Sequence, residues 1–502
     1  MTNTAEYDLA IIGGGINGCG IARDAAGRGL KVILIEQGDF ASATSAWSSK
    51  LIHGGLRYLE QYQFRLVREA LQEREVLLKI APHLIRPLPF ILPHDESMRP
   101  AWMIRIGLFL YDHIGGTISL PGSRGVAFPD AVYSAGLKAA LTKGFFYSDA
   151  QVDDARLTLL NALSAHEHGA DVRPHTRLIQ GQRHGDTWLL TLQAHDSNTP
   201  QHIRVRGVVN AGGPWVKHLL DDTFHVPMTA GVRLIKGSHI VVPRIHEHKH
   251  AYILQNEDKR VVFIIPYEDQ FSLIGTTDVA VDRVEDAADI TPEETDYLLR
   301  AVNRFLAIPL QASDVVWRYA GVRPLYDDGS ANPSEITRDY VLKIDHQGGA
   351  LPLLSIFGGK ITTYRRLAEH ALQALAPYFP AMTGNWTDRE ALPGGDMGTL
   401  ENAIAALQRA YPALPADYLG QLVRRYGSRT SRLLVGVQNI VDLGVCFGSG
   451  PYLLSEREID YCIKREWAKQ PDDILWRRTK CGLHMSVEER EKAARFIAAR
   501  CS

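Results

Sequence analysis

Short apolar runs and one helical stretch alternate in the first 40 residues of this 502-residue chain. Residues 7–12 are apolar and lead directly into a glycine-rich run at 13–18. An alanine-rich stretch with helical character follows to residue 26, and a second apolar run covers residues 32–35. This succession of strand, glycine turn, helix and strand within about 30 residues predicts a βαβ unit.

The hydrophobic pattern changes further along the chain. Residues 64–80 have the period of a charged amphipathic helix, and residues 187–210 have strand-like runs. Between residues 230 and 345, several β-rich runs separated by glycine and aspartate predict a mainly antiparallel sheet. From about residue 399 the period is helical, without a convincing strand.

Composition narrows the class of protein. A hydrophobic fraction of 45% and a charged fraction of 22% are ordinary for a folded domain. The net charge of −2 argues against a nucleic-acid partner. The five scattered cysteines contain no CxxC pair, so we expect neither a disulfide framework nor a metal site. With no leader-like segment and no spanning apolar run, the sequence favours a cytoplasmic protein.

The glycine turn fits a dinucleotide fingerprint. Gly13 permits the tight turn, Gly15 lets the backbone approach a pyrophosphate, and Gly18 allows close packing of helix on strand. Glu36 ends the second strand, where a carboxylate binds the ribose 2′-hydroxyl. An acid at this place disfavours a 2′-phosphate and therefore NADP, which leaves NAD and FAD.

The segment after the βαβ unit separates these two cofactors. Residues 42–50 are rich in hydroxyl side chains and precede Gly54 and Gly55. A flavin needs close backbone and many polar contacts along its ribityl chain, so this pattern favours FAD. The alternative for this loop alone is a capped helix start.

Residues 7–59 resemble the FAD-dependent glycerol-3-phosphate dehydrogenases of the respiratory, quinone-reducing kind, within the D-amino-acid-oxidase-like flavoproteins. The resemblance spans nearly the whole chain through motifs at 210–215, 236–239, 274–278, 320–324, 336–339, 357–365 and 476–480. One departure is Trp47, where a small residue is expected. FAD is therefore the expected cofactor, in a non-covalent complex.

The resemblance implies an α/β fold of three parts. They are a Rossmann-like FAD-binding domain formed by 1–80, 146–226 and 346–385, a β-rich substrate domain formed by 81–145 and 227–345, and an all-α C-terminal cap at 397–502. The expected FAD contacts lie in the glycine turns, the hydroxyl-rich loop and the strand beside the adenine. They are Gly13, Gly15, Asn17, Gly18, Glu36, Thr44, Ser45, Ser49, Lys50, Leu51, His53, Gly54, Gly55, Val172, Ala211, Gly212, Trp215, Gly358, Gly359, Lys360 and Thr362.

The implied reaction oxidises sn-glycerol 3-phosphate to dihydroxyacetone phosphate, with the C2 hydride passing to flavin N5 and the electrons then to a membrane quinone. A phosphate dianion calls for guanidinium donors. The expected substrate contacts are Arg57, Tyr58, Thr276, Arg323, Arg338 and Lys360.

Four residues are candidates for the chemical step. His53 and His239 lie in the family motifs, and imidazole titrates near neutral pH. We favour His239 as the base; Arg323 alternatively lowers the pKa of the substrate hydroxyl. Lys360 is a candidate for holding the C2 oxygen or the flavin C2 carbonyl. A structural contact to backbone is the alternative for His53.

A quinone acceptor requires contact with a membrane. Residues 99–113 combine an apolar helical face with flanking Arg99 and Arg105, which suits a helix lying in the lipid headgroup region; a buried core helix is the alternative. The resemblance implies a homodimer on the cytoplasmic face of the bacterial inner membrane. Two other functions stay open, namely a flavin oxidase of another small substrate using oxygen and a non-catalytic FAD-stabilised subunit.

Overall fold

The computed structural model describes residues 6–95, 99–128, 130–228, 231–258, 260–287, 289–327, 339–346 and 351–501. Its strands belong to two large sheets and one small ladder. In chain order they are β1 (Tyr7–Ile12), β2 (Val32–Ile35), β3 (Leu51–Ile52), β4 (Ile85–His94), β5 (Arg124–Ala127), β6 (Lys143–Val152), β7 (Asp171–Arg173), β8 (Thr176–His184), β9 (Thr187–Ala194), β10 (Gln201–Asn210), β11 (Gly231–Pro243), β12 (Ala251–Gln255), β13 (Val261–Tyr267), β14 (Phe271–Gly275), β15 (Val279–Val281), β16 (Trp317–Asp327), β17 (Val341–Asp345), β18 (Leu353–Phe357), β19 (Cys446–Phe447) and β20 (Leu454–Ser455).

The helices cover the faces of these sheets and form the C-terminal part. In chain order they are α1 (Ile16–Gly27), α2 (Phe64–Ile80), α3 (Ala101–Ile114), α4 (Asp154–Glu167), α5 (Val216–His218), α6 (Pro292–Asn303), α7 (Tyr364–Leu375), α8 (Leu400–Ala410), α9 (Ala416–Tyr426), α10 (Thr430–Leu433), α11 (Glu456–Glu466) and α12 (Val487–Cys501). The predicted strands at 7–12 and 32–35 and the predicted helix at 64–80 are confirmed at these bounds.

The first sheet has the order β17-β18-β10-β1-β2-β7, and β9 and β8 extend it from β10. Strands β18, β10, β1, β2 and β7 run parallel, with α1 as the crossover between β1 and β2. Of these parallel strands, β1, β2 and β18 are largely buried, which explains why their sequences are mainly apolar. The predicted Rossmann-like arrangement is confirmed.

The second sheet contains β15-β11-β14-β13-β12-β4-β6-β3, with β16 on β11 and β5 on β6. Its pairs are antiparallel apart from β4 with β12, so the predicted mainly antiparallel sheet is confirmed. The predicted division between residues 145 and 146 falls inside β6, and all of β6 belongs to this second sheet. The short strand β3 also pairs there, although we placed it in the first domain. Strand β17 was likewise placed in the substrate domain, yet it pairs with β18 in the first sheet, so the predicted division between residues 345 and 346 is also displaced. The other domain boundaries stay predictions.

The C-terminal part is helical, with one small ladder of β19 and β20. The helical period of the sequence gave no indication of these two short strands. Buried ion pairs join this part to the first sheet's helices and loops. Arg156 of α4 contacts Glu466 at 2.8 Å, and both side chains are buried. The Arg478 guanidinium likewise contacts Asp39, in the loop after β2. Since breaking a buried pair leaves a desolvated charge, these contacts hold the C-terminal part firmly in place.

Candidate active site

A cavity of about 830 Å³ lies between the two sheets, within the size range of ligand pockets. It begins at the carboxyl end of β1, where a parallel sheet of this type binds its ligand. It then follows the loop from Gln37 to Ser49 and the turn after β10. The far end is bounded by β11, β16 and the turn after β18. We call these the dinucleotide end and the substrate end.

Glycines form the dinucleotide end because a side chain would collide with backbone. Gly13 has φ +117°, and a Cβ there would lie 2.4 Å from the Ala211 carbonyl oxygen. A Cβ on Gly18 would lie 1.9 Å from the Gly13 carbonyl oxygen. Gly18 does not line the cavity itself; it lets α1 approach the turn, as the sequence predicted.

Helix α1 opens directly onto this turn. Its N-cap is Gly15, which has no side chain to cap the helix. The Ile16 amide donates to Ser45 Oγ at 2.9 Å, which ties the hydroxyl-rich loop to the helix start. A helix N-terminus with glycine backbone beside it suits a pyrophosphate.

Glu36, which we predicted to bind the ribose, lines the cavity and is held by two backbone amides. Its carboxylate accepts hydrogen bonds from the Gly14 amide at 2.6 Å and from the Gly38 amide at 2.7 Å. Burial raises the pKa of this carboxyl, while the two amides lower it. The side chain thus faces the cavity in a fixed orientation, ready to accept from a hydroxyl.

Most of the predicted FAD contacts line the cavity. Those that do are Gly13, Gly15, Asn17, Glu36, Thr44, Ser45, Ser49, Leu51, His53, Ala211, Gly212, Trp215, Gly358, Gly359, Lys360 and Thr362. Trp47, the departure from the family pattern, lines it too and packs against Tyr319 with ring centroids 5.4 Å apart.

Five predicted FAD contacts lie outside the cavity lining. Gly18 is below the turn, and Gly54 and Gly55 are buried behind His53. The Lys50 ammonium contacts Asp154 at 2.9 Å in the protein interior.

Val172 also packs into the core of the first sheet instead of lining the cavity. The wall beyond the Glu36 loop is formed by residues 176–178, including Arg177. Our prediction missed these residues. They lie in β8, and they reach the cavity because the chain reverses direction after β7.

At the substrate end, His239 projects from β11 and is buried. Its Nε2 lies 2.9 Å from Ser49 Oγ, and its ring stacks on Tyr319 at 4.8 Å. Burial, then the positive charges of Lys50 and Arg323, holds the pKa of His239 well below its usual range. The imidazole is therefore neutral near pH 7 and available to accept a proton.

Arg323 of β16 faces the same space. Its guanidinium contacts the Asp278 carboxylate at 2.8 Å and donates to the Thr277 carbonyl at 3.0 Å. A Cβ on Gly237 would lie 2.5 Å from Arg323 Nη2 and 2.7 Å from Thr276 Oγ1, so this glycine makes room for both side chains. Asp278 was not predicted, although it ends the motif that contains Thr276.

Lys360 reaches the substrate end from the turn after β18. Its ammonium lies 3.8 Å from the centroid of the Tyr58 ring, and both residues line the cavity. His53 lies beside them with its pKa lowered by burial and by the Lys360 charge, against the effect of Asp149. Arg57 is exposed and outside the cavity lining. Arg338 lies outside the described residues.

The residues present fit FAD. The glycine cradle and open helix start suit a pyrophosphate, Glu36 suits a ribose, and the loop from Thr44 to Ser49 supplies hydroxyls between the two ends. The Asn17 amide nitrogen donates to the Gly358 carbonyl at 3.1 Å, which joins the first glycine turn to the last one.

Comparison with known proteins agrees with the fit of this cavity to FAD. A family model described as FAD dependent oxidoreductase matches residues 8–365. A second model, described as the C-terminal domain of alpha-glycerophosphate oxidase, matches residues 385–501. The chain belongs to the family of FAD-dependent oxidoreductases. FAD as cofactor and the oxidoreductase class, both predicted from the motifs, are confirmed.

Within this family, the resemblance to glycerol-3-phosphate dehydrogenases is also confirmed. Aerobic glycerol-3-phosphate dehydrogenase of Escherichia coli is 50% identical over 98% of this chain and 97% of that protein. D-erythritol 1-phosphate dehydrogenase of Brucella abortus is 49% identical over the same shares. Glycerol-3-phosphate dehydrogenase from Bacillus halodurans, solved with FAD, is 27% identical with a TM-score of 0.75, over 99% of this chain and 90% of that one.

Proposed function

We propose that this protein oxidises sn-glycerol 3-phosphate to dihydroxyacetone phosphate. The observation that carries the proposal is the convergence of His239, Arg323 and Lys360 at one end of a cavity whose other end fits a dinucleotide. When bound, FAD supplies at its N5 the acceptor for the hydride that leaves C2. The protein residues bind the phosphate, orient the carbon that reacts and accept the hydroxyl proton.

The phosphate is assigned to the two cations of the substrate end. Arg323 presents a planar fork of donors, which matches phosphate oxygens. Asp278, which contacts this guanidinium, is half-exposed. Water can therefore solvate its carboxylate when a phosphate dianion binds to one side of the guanidinium. Lys360, fixed against Tyr58, adds a second positive charge to the cavity lining.

The hydroxyl proton is assigned to His239. A neutral, buried imidazole is a competent base, and its hydrogen bond to Ser49 fixes the ring. The nearby Arg323 charge favours the deprotonated form of a bound alcohol, so the two residues act in the same direction. His53, which also lines the cavity, is assigned a supporting contact.

The visible spectrum of the purified protein tests this function. Under anaerobic conditions we expect a flavin band that bleaches on addition of sn-glycerol 3-phosphate, and we expect no bleaching with glycerol, D-alanine or NADH. Bleaching by D-alanine alone would show an amino-acid oxidase, and a flavin that none of these compounds reduces would overturn the proposal.

D-erythritol 1-phosphate is the second candidate substrate, because the dehydrogenase from Brucella abortus is nearly as similar as the glycerol-3-phosphate dehydrogenase from Escherichia coli. Both compounds offer a phosphate to the same two cations. Rates of flavin bleaching measured with each compound at equal concentration decide between them. A value of kcat/KM higher for D-erythritol 1-phosphate would replace our first candidate.

We also propose a membrane quinone as the electron acceptor, with α3 resting on the lipid surface. None of the helices in the described ranges is long and apolar enough to cross a bilayer. Trp102, Ile106 and Phe109 of α3 are each more than half exposed, on a face flanked by Arg105. Such a face suits the boundary between headgroups and acyl chains. The predicted homodimer and the inner-membrane location rest on the family resemblance.

Co-sedimentation with liposomes tests the contact. A variant with both Phe109→Glu and Leu110→Glu should stay in the supernatant, because each charge opposes burial in lipid. Ile308→Glu with Val441→Glu is the matched control, since these apolar residues are exposed elsewhere on the protein. Equal sedimentation of both variants would remove α3 from the contact. Reduction of a soluble quinone, measured against oxygen consumption, identifies the acceptor.

A further inference from the structure

A buried polar cluster lies directly behind the substrate end, and the reaction as described makes no use of it. The cluster consists of Arg74 on α2, Tyr111 on α3 and Asp149 on β6, each about 2% exposed. The Arg74 guanidinium contacts the Asp149 carboxylate at 2.9 Å. The Tyr111 hydroxyl contacts both carboxylate oxygens, at 2.9 and 2.8 Å.

The same hydroxyl reaches the cavity wall. The Gly54 amide donates a hydrogen bond to Tyr111 Oη at 2.8 Å. A Cβ on Gly54 would lie 2.7 Å from Tyr111 Oη, so the contact requires glycine. Gly54 follows His53, whose own amide contacts Thr362 Oγ1 at 3.3 Å beside Lys360. The Tyr111 hydroxyl is thus one of the contacts that hold the short segment from His53 to Tyr58, together with Thr362.

We propose that Tyr111 is a positioning residue for the reaction at the substrate end. Asp149 accepts a hydrogen bond from the Tyr111 hydroxyl and so fixes the direction of its lone pairs, and Arg74 fixes Asp149. The hydroxyl then holds the Gly54 amide, and through it the segment that carries His53 and Tyr58. The inference rests on the proposed function, since it concerns the placement of residues that face the proposed substrate.

Tyr111→Phe tests this inference, with Tyr147→Phe as control. Tyr147 is a buried tyrosine beside Tyr111, with ring centroids 5.9 Å apart, and its hydroxyl makes none of the hydrogen bonds described above. In Tyr111→Phe we expect a roughly tenfold lower kcat with a KM for substrate within about threefold of wild type, because misplacement affects orientation more than binding. Tyr147→Phe should keep both constants.

Hydrogen exchange provides a readout that does not depend on turnover. Amides of residues 53–58 should exchange at least tenfold faster in Tyr111→Phe, measured with FAD bound and without it, and should keep wild-type rates in Tyr147→Phe. Unchanged exchange, or faster exchange with unchanged kcat, would overturn the inference. A wild-type protein that glycerol 3-phosphate fails to reduce would instead overturn the proposed function, while the exchange rates would still show whether Tyr111 holds the segment.

Discussion

The two ends of the cavity recognise their ligands in different ways. The dinucleotide end consists mainly of backbone, supplied by the turn between β1 and α1 and held against Ala211. The substrate end consists of side chains from strands far apart in the chain, with His239 on β11, Arg323 on β16 and Lys360 after β18.

This difference has a physical cause. A pyrophosphate is satisfied by amide groups and a helix dipole, which any sequence of small residues provides once the turn forms. A polyol phosphate must be distinguished from other small molecules, and that requires charged and titratable side chains in fixed positions. We therefore expect the dinucleotide end to be sensitive to added side-chain atoms, and the substrate end to be sensitive to the removal of side chains.

Gly18→Ala tests the first statement and has the largest expected effect. The added Cβ would lie 1.9 Å from the Gly13 carbonyl oxygen and 3.3 Å from the Ala211 Cβ, which leaves it no room. We expect purified protein with under roughly a tenth of the wild-type FAD, read from the visible absorbance per chain. Gly107→Ala is the control, because a Cβ there meets nothing within 4 Å. Full FAD content in Gly18→Ala would contradict the steric account.

The same difference decides what the sequence could predict. Gly13, Gly15 and Glu36 lie within one βαβ unit. Their spacing therefore indicated the strand, turn and helix of that unit, and also the dinucleotide that we expect it to bind. Lys50 lies in an equally suggestive motif, yet its ammonium is buried against Asp154, over 100 residues away. Only the tertiary fold shows that contact. For the same reason the resemblance indicated Arg57, whose side chain is exposed here, and gave no signal for Arg177. Asp278 was left unassigned although it ends the motif at 274–278.

His239→Gln tests the second end. Loss of the base should lower kcat about 100-fold or more, with FAD content unchanged. Burial lowers the pKa of His239, and a base acts when deprotonated, so its contribution is present above that lowered pKa and lost as pH falls through it. We therefore expect wild-type kcat to stay level as pH falls to 6.5 and to decline only below it, and this decline should be missing in the variant. A wild-type decline centred above pH 6.5 would identify another group.

Arg323→Ala separates binding from chemistry at the same end. Removing the guanidinium should raise KM for the phosphorylated substrate roughly 30-fold, because a charge-assisted contact worth about 2 kcal/mol is lost. FAD content should not change. Arg318→Ala, on the same strand but exposed outside the cavity, is the matched control and should keep the wild-type KM. If KM stays constant while kcat falls, the arginine acts on the substrate hydroxyl and the phosphate contact lies elsewhere.

Ser49→Ala has the smallest expected effect and asks whether the two ends are independent. Ser49 belongs to the hydroxyl-rich loop near the dinucleotide end, yet its Oγ lies 2.9 Å from His239 Nε2. Loss of one hydrogen bond of about 1 kcal/mol should lower kcat roughly fivefold. If the serine acts by orienting the imidazole, this loss should vanish when His239→Gln is already present, since interacting residues give non-additive effects. Additive losses in the double variant would mean that Ser49 acts on the flavin side alone, and the two ends would then be separate in function as well as in construction.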